Sequence, residues 1–278
     1  MTGADPQDGG GAAAARPGGI VDLHCHVLPG LDDGPSTIEE AVALLELLER
    51  EGVARVAGTP HVSDRYPTTA AAIAAAVERL GDGLTPHVLA GAEVHPSRLA
   101  DVLPDVGAYS LGGSGVVLVE ANPEIAPEAL EVVVDRLDRA GASALLAHCE
   151  RCRGLVRHPG ALQALVRRGA FVQVTAGAVA GAHGRALHDA AWDLVRAGLV
   201  HCVSSDAHST EWRPPLLQAA GEALSSHLGP EAAGHLLREG PAAILEGRRP
   251  VPYVSPEPAR PARWWRRRAR AHQASGQR

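Results

Sequence analysis

Short runs of valine, leucine and alanine alternate along the chain with longer stretches in which apolar residues recur every three or four positions. The runs predict strands near 20–26, 54–59, 87–91, 115–120, 143–148, 170–175 and 200–205. They are almost continuously apolar, as parallel strands covered on both faces are. The segments between them predict helices. The first is announced by Ser36 and Thr37 with Glu39 and Glu40 three residues on, a doubled capping-box signal ahead of AVALLELLER. Others are expected at 69–80, 127–140, 158–168, 185–197, 214–227 and 230–238. This repeated alternation indicates a parallel α/β architecture. Periodicity alone leaves an open doubly wound sheet and a closed barrel equally available. No internal repeat is visible.

Composition narrows the class. A chain of 278 residues suits two ordinary domains or one barrel, and 45% hydrophobic residues are enough for a sizeable core. Aromatic residues make up only 3%, so that core is built from Ala, Val and Leu. All 26 basic residues are arginines, which excludes a lysine Schiff base, a GK[ST] phosphate loop and a kinase-type lysine. The segment 260–278 holds seven arginines and no acid; without its charge the net of −6 becomes −13. An acidic body argues against a nucleic-acid partner. No apolar run approaches the ~18 residues of a membrane span. Residues 1–19 are rich in Gly, Ala and Pro without a basic head, so they are expected to be a disordered lead-in rather than a secretory signal. With four cysteines and no sign of a disulfide scaffold, the expected compartment is the cytoplasm. One domain is expected over 20–250, followed by an Arg-rich disordered tail over 251–278. The tail is either simply solvated or docks on an anionic surface through Trp264 and Trp265.

The polar residues carry the chemistry. The first strand ends in Asp22-Leu-His24-Cys-His26, and alternation places Asp22, His24 and His26 on one face with Cys25 on the other. Further candidates end other strands: His61 after Thr59-Pro60, Glu93 after Gly91-Ala92, Glu120, His148, and the pair Asp206 and His208. Asp32 and Asp33 follow the first strand in PGLDDG. Catalytic groups of parallel α/β folds gather at the C-terminal ends of strands. Mixed His, Asp and Glu ligation without an obligatory Cys suits Mn, Fe or Zn, and so many ligands imply more than one ion. Arg151 and Arg213 add guanidinium forks that match phosphate oxygens. Other chemistries find less support. Cys149 and Cys152 form a C-x-x-C with no second pair, no cysteine has an arginine six positions on, and no GxSxG surrounds a serine.

Taken together, DLHCHVLPGLDDG, TPH, GAE, LVE, HCER, QVTAG and SDAH-x4-Arg213 resemble the polymerase-and-histidinol-phosphatase (PHP) superfamily, from about 20 to 247. Within it they look like the bacterial protein-tyrosine phosphatase branch of the CpsB/CapC type, tied to capsule and exopolysaccharide synthesis. The resemblance implies a distorted, TIM-like (βα)7 barrel and three divalent ions, commonly manganese, with iron or zinc as alternatives. It implies that His24, His26, Glu93 and Asp206 hold one ion, and that His61 and His208, with Asp32 or Asp33, hold a second. Glu120 and His148 would hold a third, bridged by Glu93. Arg151 and Arg213 match the family's phosphate-binding arginines, and Asp206 joins them in catalysis. The implied substrate is a phosphotyrosine protein, a tyrosine-autophosphorylating kinase of polysaccharide export. Alternatives are a small phosphomonoester such as histidinol phosphate, or a non-catalytic metal-binding regulator. Two departures stand out: HPER is here HCER, and the serine of QVTAGS is Ala178.

Overall fold

The structure is a computed structural model that describes residues 18–254, residue 82 excepted. The expected disordered lead-in, apart from its last two residues, and the arginine-rich tail from 255 onward lie outside the described residues. Among the described residues nine strands form: β1 (Ile20–Cys25), β2 (Val53–Gly58), β3 (His61–Val62), β4 (His87–Ala90), β5 (Glu93–Val94), β6 (Val116–Glu120), β7 (Ser143–Ala147), β8 (Phe171–Thr175) and β9 (Cys202–Ser204). Every ladder between them is parallel.

The strands fall into two sheets, β1-β2-β4 and β3-β5-β6-β7-β8-β9. The strands expected near 54–59 and 87–91 form as β2 and β4, and each is followed after a break by a short second strand that the pattern did not anticipate. β2 passes into β3 across Thr59-Pro60, where proline has no N–H to give a ladder, and β4 passes into β5 across Gly91-Ala92. The breaks set His61 opposite Glu93 in register. The chain therefore makes seven strand passages that follow one another in chain order across the two sheets, as in a TIM-like frame. Among the described residues the first and last passages form no ladder with each other, but their backbones are joined at the rim. There Cys25 bridges Ala207, His26 N–H donates to Ala207 O at 2.8 Å, and Asp206 N–H donates to His24 O at 2.8 Å.

Alternation along the strands sorts the core into two layers. Val21, Leu23, Val116, Leu118, Leu145, Ala147, Phe171 and Cys202 form an inner cluster. Val117, Val119, Leu146, Val172, Val174 and Val203 face outward into a larger cluster shared with the helices. The inner face turns polar toward the C-terminal ends: Val116 and Leu118 lead to Glu120, Phe171 to Gln173 and Thr175, Cys202 to Ser204.

The helix Ile38–Arg50 buries Ala41, Leu44, Leu45 and Leu48 on one face. Its cap is built as expected: Thr37 Oγ1 accepts the Glu40 N–H at 3.3 Å, and Glu40 reaches back to the Ser36 N–H at 2.7 Å. Thr69 caps Ala70–Leu80 in the same way. Elsewhere the boundaries moved. The helix expected at 214–227 is Leu217–Leu228, because Pro214-Pro215 and a left-handed Leu216 (φ 55°) delay its start. The one expected at 230–238 continues through a widened π-type turn, His235–Glu239, into Gly240–Leu245. Glycine is required at position 240, since a Cβ there would lie 2.2 Å from His201 O. The stretch 96–113 is a string of short helical turns that the pattern did not anticipate. Beyond residue 250, Tyr253 is still buried, its N–H donating to Val200 O at 2.9 Å. No described helix is long and apolar enough to cross a membrane.

His201 is buried just before β9, and its Nδ1 accepts the Val172 N–H at 3.0 Å. Burial, with His235 adding to it, pushes its pKa from 6.5 down to about 4. The folded state therefore binds this proton less readily than the unfolded chain. Its stabilising share is full above pH 6.5 and is lost as pH falls toward 4, on the order of 3 kcal/mol. His201→Asn, whose Oδ1 can take the same N–H, is expected to flatten the fall in unfolding free energy across that window. An unchanged slope in denaturant titrations would remove His201 as its source.

Candidate metal and phosphate site

At the end of β1 the register against β2 slips between Asp22 and Cys25, a bulge that re-aims the side chains beyond it. His24 and His26 converge there, their Nε2 atoms 3.2 Å apart and both rings buried. Glu93 Oε2 lies 3.4 Å from His24 Nε2 and 3.5 Å from His26 Nε2, and Asp206 Oδ1 lies at the same two distances. Among the described residues, three groups bring ligand atoms within 4.8 Å of one another: His24, His26 and Asp206; His26, Asp33, His61 and His208; and His24, Glu93 and His148. The last is held by a 2.8 Å contact between His148 Nε2 and Glu93 Oε1. Glu93 Oε2 also sits 2.9 Å from His61 Nδ1, yet it accepts no hydrogen bond although fully buried. A buried carboxylate oxygen without a donor is costly. Imidazole and carboxylate lone pairs that face one another in this way suit a shared cation. The residues fit a multi-ion centre.

The two loop aspartates divide their work. Asp32 Oδ2 contacts His26 Nδ1 at 2.6 Å and accepts the His61 N–H at 2.9 Å, while its Oδ1 accepts the Gly34 N–H at 3.0 Å. It therefore aims His26 from behind, and only Asp33 joins a convergent group. Gly34 is needed for this loop, because a Cβ there would lie 2.1 Å from His26 O. Burial alone would lower the His26 pKa, but the Asp32 carboxylate overcomes it and holds the pKa well above 6.5. Burial would likewise raise Glu93 and Asp206. The imidazoles around both, and Arg151 beside Asp206, hold these carboxyls well below their ordinary range.

Both guanidinium groups are tied to one carboxylate. Asp206 Oδ2 receives Arg151 Nη1 at 2.8 Å and Arg213 Nη2 in a short contact, while Arg213 Nη1 donates to His208 Nε2 at 2.9 Å. His148, Asp206 and Arg213 all have positive φ (34°, 54° and 62°), backbone strain gathered where the charges meet. Glu120 is not among the converging side chains. It faces a cavity of about 350 Å³ shared with Asp33, His61, Tyr66, His95 and Asn122, and burial, then Glu93, raises its pKa.

Several of these residues were not anticipated. Gln173 Oε1 accepts the His148 N–H at 2.6 Å, Asn122 Nδ2 lies 3.0 Å from His95 Nε2, and Tyr66 stacks on His61 at 5.7 Å. Two-residue spacing was the available signal: His95 follows Glu93, and Asn122 follows Glu120, as His26 follows His24. The four cysteines are free and buried. Burial pushes each thiol pKa up, so none is an activated nucleophile.

Buried histidines and carboxylates gathered at the C-terminal ends of parallel strands, with two arginines on their edge, are the kind of donor set that a metal-dependent hydrolase uses. Residues 20–246 match the family model for capsular polysaccharide synthesis, CpsB/CapC, and the chain belongs to that family. Tyrosine-protein phosphatase YwqE of Bacillus subtilis (strain 168) is 30% identical over 233 residues, 81% of this chain and 91% of that protein. Tyrosine-protein phosphatase CpsB of Streptococcus agalactiae serotype V is 25% identical over 240 residues, 82% and 98% of the two chains. Among solved structures, one from a study of YwqE of Bacillus subtilis and CpsB of Streptococcus pneumoniae, described as metal-dependent tyrosine phosphatases, superposes with a TM-score of 0.73. It is 28% identical and covers 84% of this chain and 99% of that one. A dihydropyrimidinase from Brevibacillus agri, at 12% identity and TM-score 0.53 over 84% and 72% of the chains, shares the fold alone.

Proposed function

We propose that this protein is a metal-dependent protein-tyrosine phosphatase acting on a phosphotyrosine protein, the cognate tyrosine kinase of polysaccharide export. The observation that carries the reading is the meeting of Asp206 with both arginines on one side and with His24 and His26 on the other. His24, His26 and Asp206 would hold one ion, His61, His208 and Asp33 a second, and His148 and Glu93 a third. Asp32 orients His26 and is not itself a ligand. Manganese is the expected ion, iron or zinc the alternatives. Divalent cations in these positions supply a nucleophile at neutral pH and Lewis-acid neutralisation of phosphoryl charge.

The chain's own residues do the rest. Arg151 and Arg213 leave Asp206 and His208 in part to fork onto the equatorial phosphoryl oxygens, where charge develops. Asp206 keeps the two forks side by side, which removes the cost of ordering them on substrate binding. Phenolate, with a pKa of about 10, leaves with modest help. A phosphocysteine is excluded by the buried, protonated thiols.

The test is turnover of a phosphotyrosine peptide by the manganese-loaded protein, with histidinol phosphate and nucleotides as competitors. Preference for the peptide supports the reading. Preference for histidinol phosphate would move the protein to small-molecule chemistry, and no turnover of any phosphoester would make it a metal-binding regulator. Arg213→Ala is expected to keep its metal content while the inhibition constant for orthophosphate rises by about 10- to 100-fold. Unchanged inhibition would take Arg213 out of the phosphate site.

A further inference from the structure

Among the described residues, Trp212 is the one aromatic side chain in the set of large exposed apolar groups, at 61% exposure. Single exposed apolar residues are ordinary. Its position is not. The indole edges against His208 with ring centroids 5.9 Å apart at 88°, and the Arg213 guanidinium carbon lies 5.6 Å from the indole centroid. The backbone that carries it is doubly held. Ser209 Oγ accepts the Trp212 N–H at 2.8 Å and donates to the Trp212 carbonyl at 2.5 Å. His208 N–H then donates to the Arg213 carbonyl at 3.1 Å, and Arg213 sits in the left-handed region at φ 62°. An arginine adopts that conformation only where its surroundings impose it.

A fixed, solvent-facing indole next to a phosphate-holding guanidinium has a definite use. In an aryl phosphate the ring is one ester oxygen away from phosphorus, so a phosphoryl group on Arg213 brings that ring to the neighbouring surface. In an alkyl phosphate nothing aromatic arrives there. Offset or edge-to-face contact between two aromatic rings is favourable beyond the area it buries, and a tryptophan with two side-chain torsions loses little freedom in making it.

We propose that Trp212 is a specificity-determining residue, the surface that receives the substrate's phenyl ring and so favours phosphotyrosine over phosphoserine. This rests on the phosphatase reading above. The experiment uses the full-length, manganese-loaded protein as wild type, Trp212→Ala and Trp212→Phe. Phosphotyrosine and phosphoserine, each as its non-hydrolysable phosphonate, and orthophosphate are titrated by calorimetry, and kcat and KM are measured on a phosphotyrosine peptide. For Trp212→Ala, the dissociation constant for phosphotyrosine and the KM for the peptide are expected to rise about 2- to 12-fold, the equivalent of about 0.5–1.5 kcal/mol. Binding of phosphoserine and orthophosphate should stay level, and Trp212→Phe should recover most of the loss.

An equal loss for all three ligands would mean that Trp212 merely props Arg213, and no loss would mean that the ring lies elsewhere; either overturns the proposal. A wild type that binds phosphotyrosine no better than phosphoserine overturns it as well. A wild type that binds with the expected preference but turns nothing over sinks the phosphatase reading alone, because the binding series still reads the contact.

Discussion

Exchange of Glu93 for glutamine is expected to lower turnover by at least about a thousand-fold and to strip the protein of much of its bound metal. Glutamine keeps the volume and one carbonyl oxygen, so packing is preserved. What it removes is the charge that faces His24, His26, His61 and His148 together. It also places an NH2 against the imidazole nitrogens that face one of the two oxygens, and that group cannot ligate a cation. In the metal-free protein, one partner of a buried charge cluster is lost, a change that typically costs about 3–5 kcal/mol. Metal analysis of gently purified protein and a phosphotyrosine-peptide assay check the two effects separately. Normal metal content with normal turnover would mean that these imidazoles and carboxylates only pack together.

Asp206→Asn carries the second large effect. The carboxylate has two jobs on two oxygens: Oδ1 faces His24 and His26, and Oδ2 anchors Arg151 and Arg213. Asparagine can serve one oxygen's role but presents an amide to the other. Both guanidinium groups then lose the charge that tethers them while their own mutual repulsion remains. Turnover is expected to fall by about a thousand-fold, and orthophosphate affinity and metal content should fall together. A stability loss near the low end of about 3–5 kcal/mol should accompany it, because both arginines keep some contact with water. The contrast with Arg213→Ala is the informative part, since that variant is expected to spare the metal. A variant of Asp206 that lost phosphate affinity with its metal content intact would confine this residue to holding arginines.

Much of this arrangement was legible in the sequence, for identifiable reasons. Apolar runs bounded by polar strand ends mark the parallel strands, and the tendency of functional groups to sit at those ends picks out His24, His26, Glu93, His148, Asp206 and His208. The breaks after Gly58 and Ala90 were not legible. They are a matter of which backbone groups pair, and no side-chain period reports that, although Pro60 and Gly91 marked the places. Asp32 and Asp33 are neighbours of one kind, and only the loop's conformation, fixed by Gly34 against His26, sends one behind an imidazole and the other into the cup. Gln173 was hidden in plain view within QVTAG. A neutral residue that orients a histidine by accepting its backbone N–H leaves no charge pattern to detect. Trp212 was invisible for the opposite reason, since its importance rests on an exposure that only a folded surface defines.

The rim contact between the first and last strand passages bears on the order of assembly. His24 and Ser205, joined there by a hydrogen bond, are 181 positions apart. Closing so long a loop is slow, and nothing local rewards it in advance. As the chain leaves the ribosome, the group of His24, Glu93 and His148 has all its members once residue 148 has emerged, but the other two wait for 206 and 208. A half-made molecule can thus hold the beginnings of the centre together with Arg151, but without Asp206 and Arg213. The pairing of the two guanidinium groups on one carboxylate is therefore completed only by the last stretch of chain to emerge.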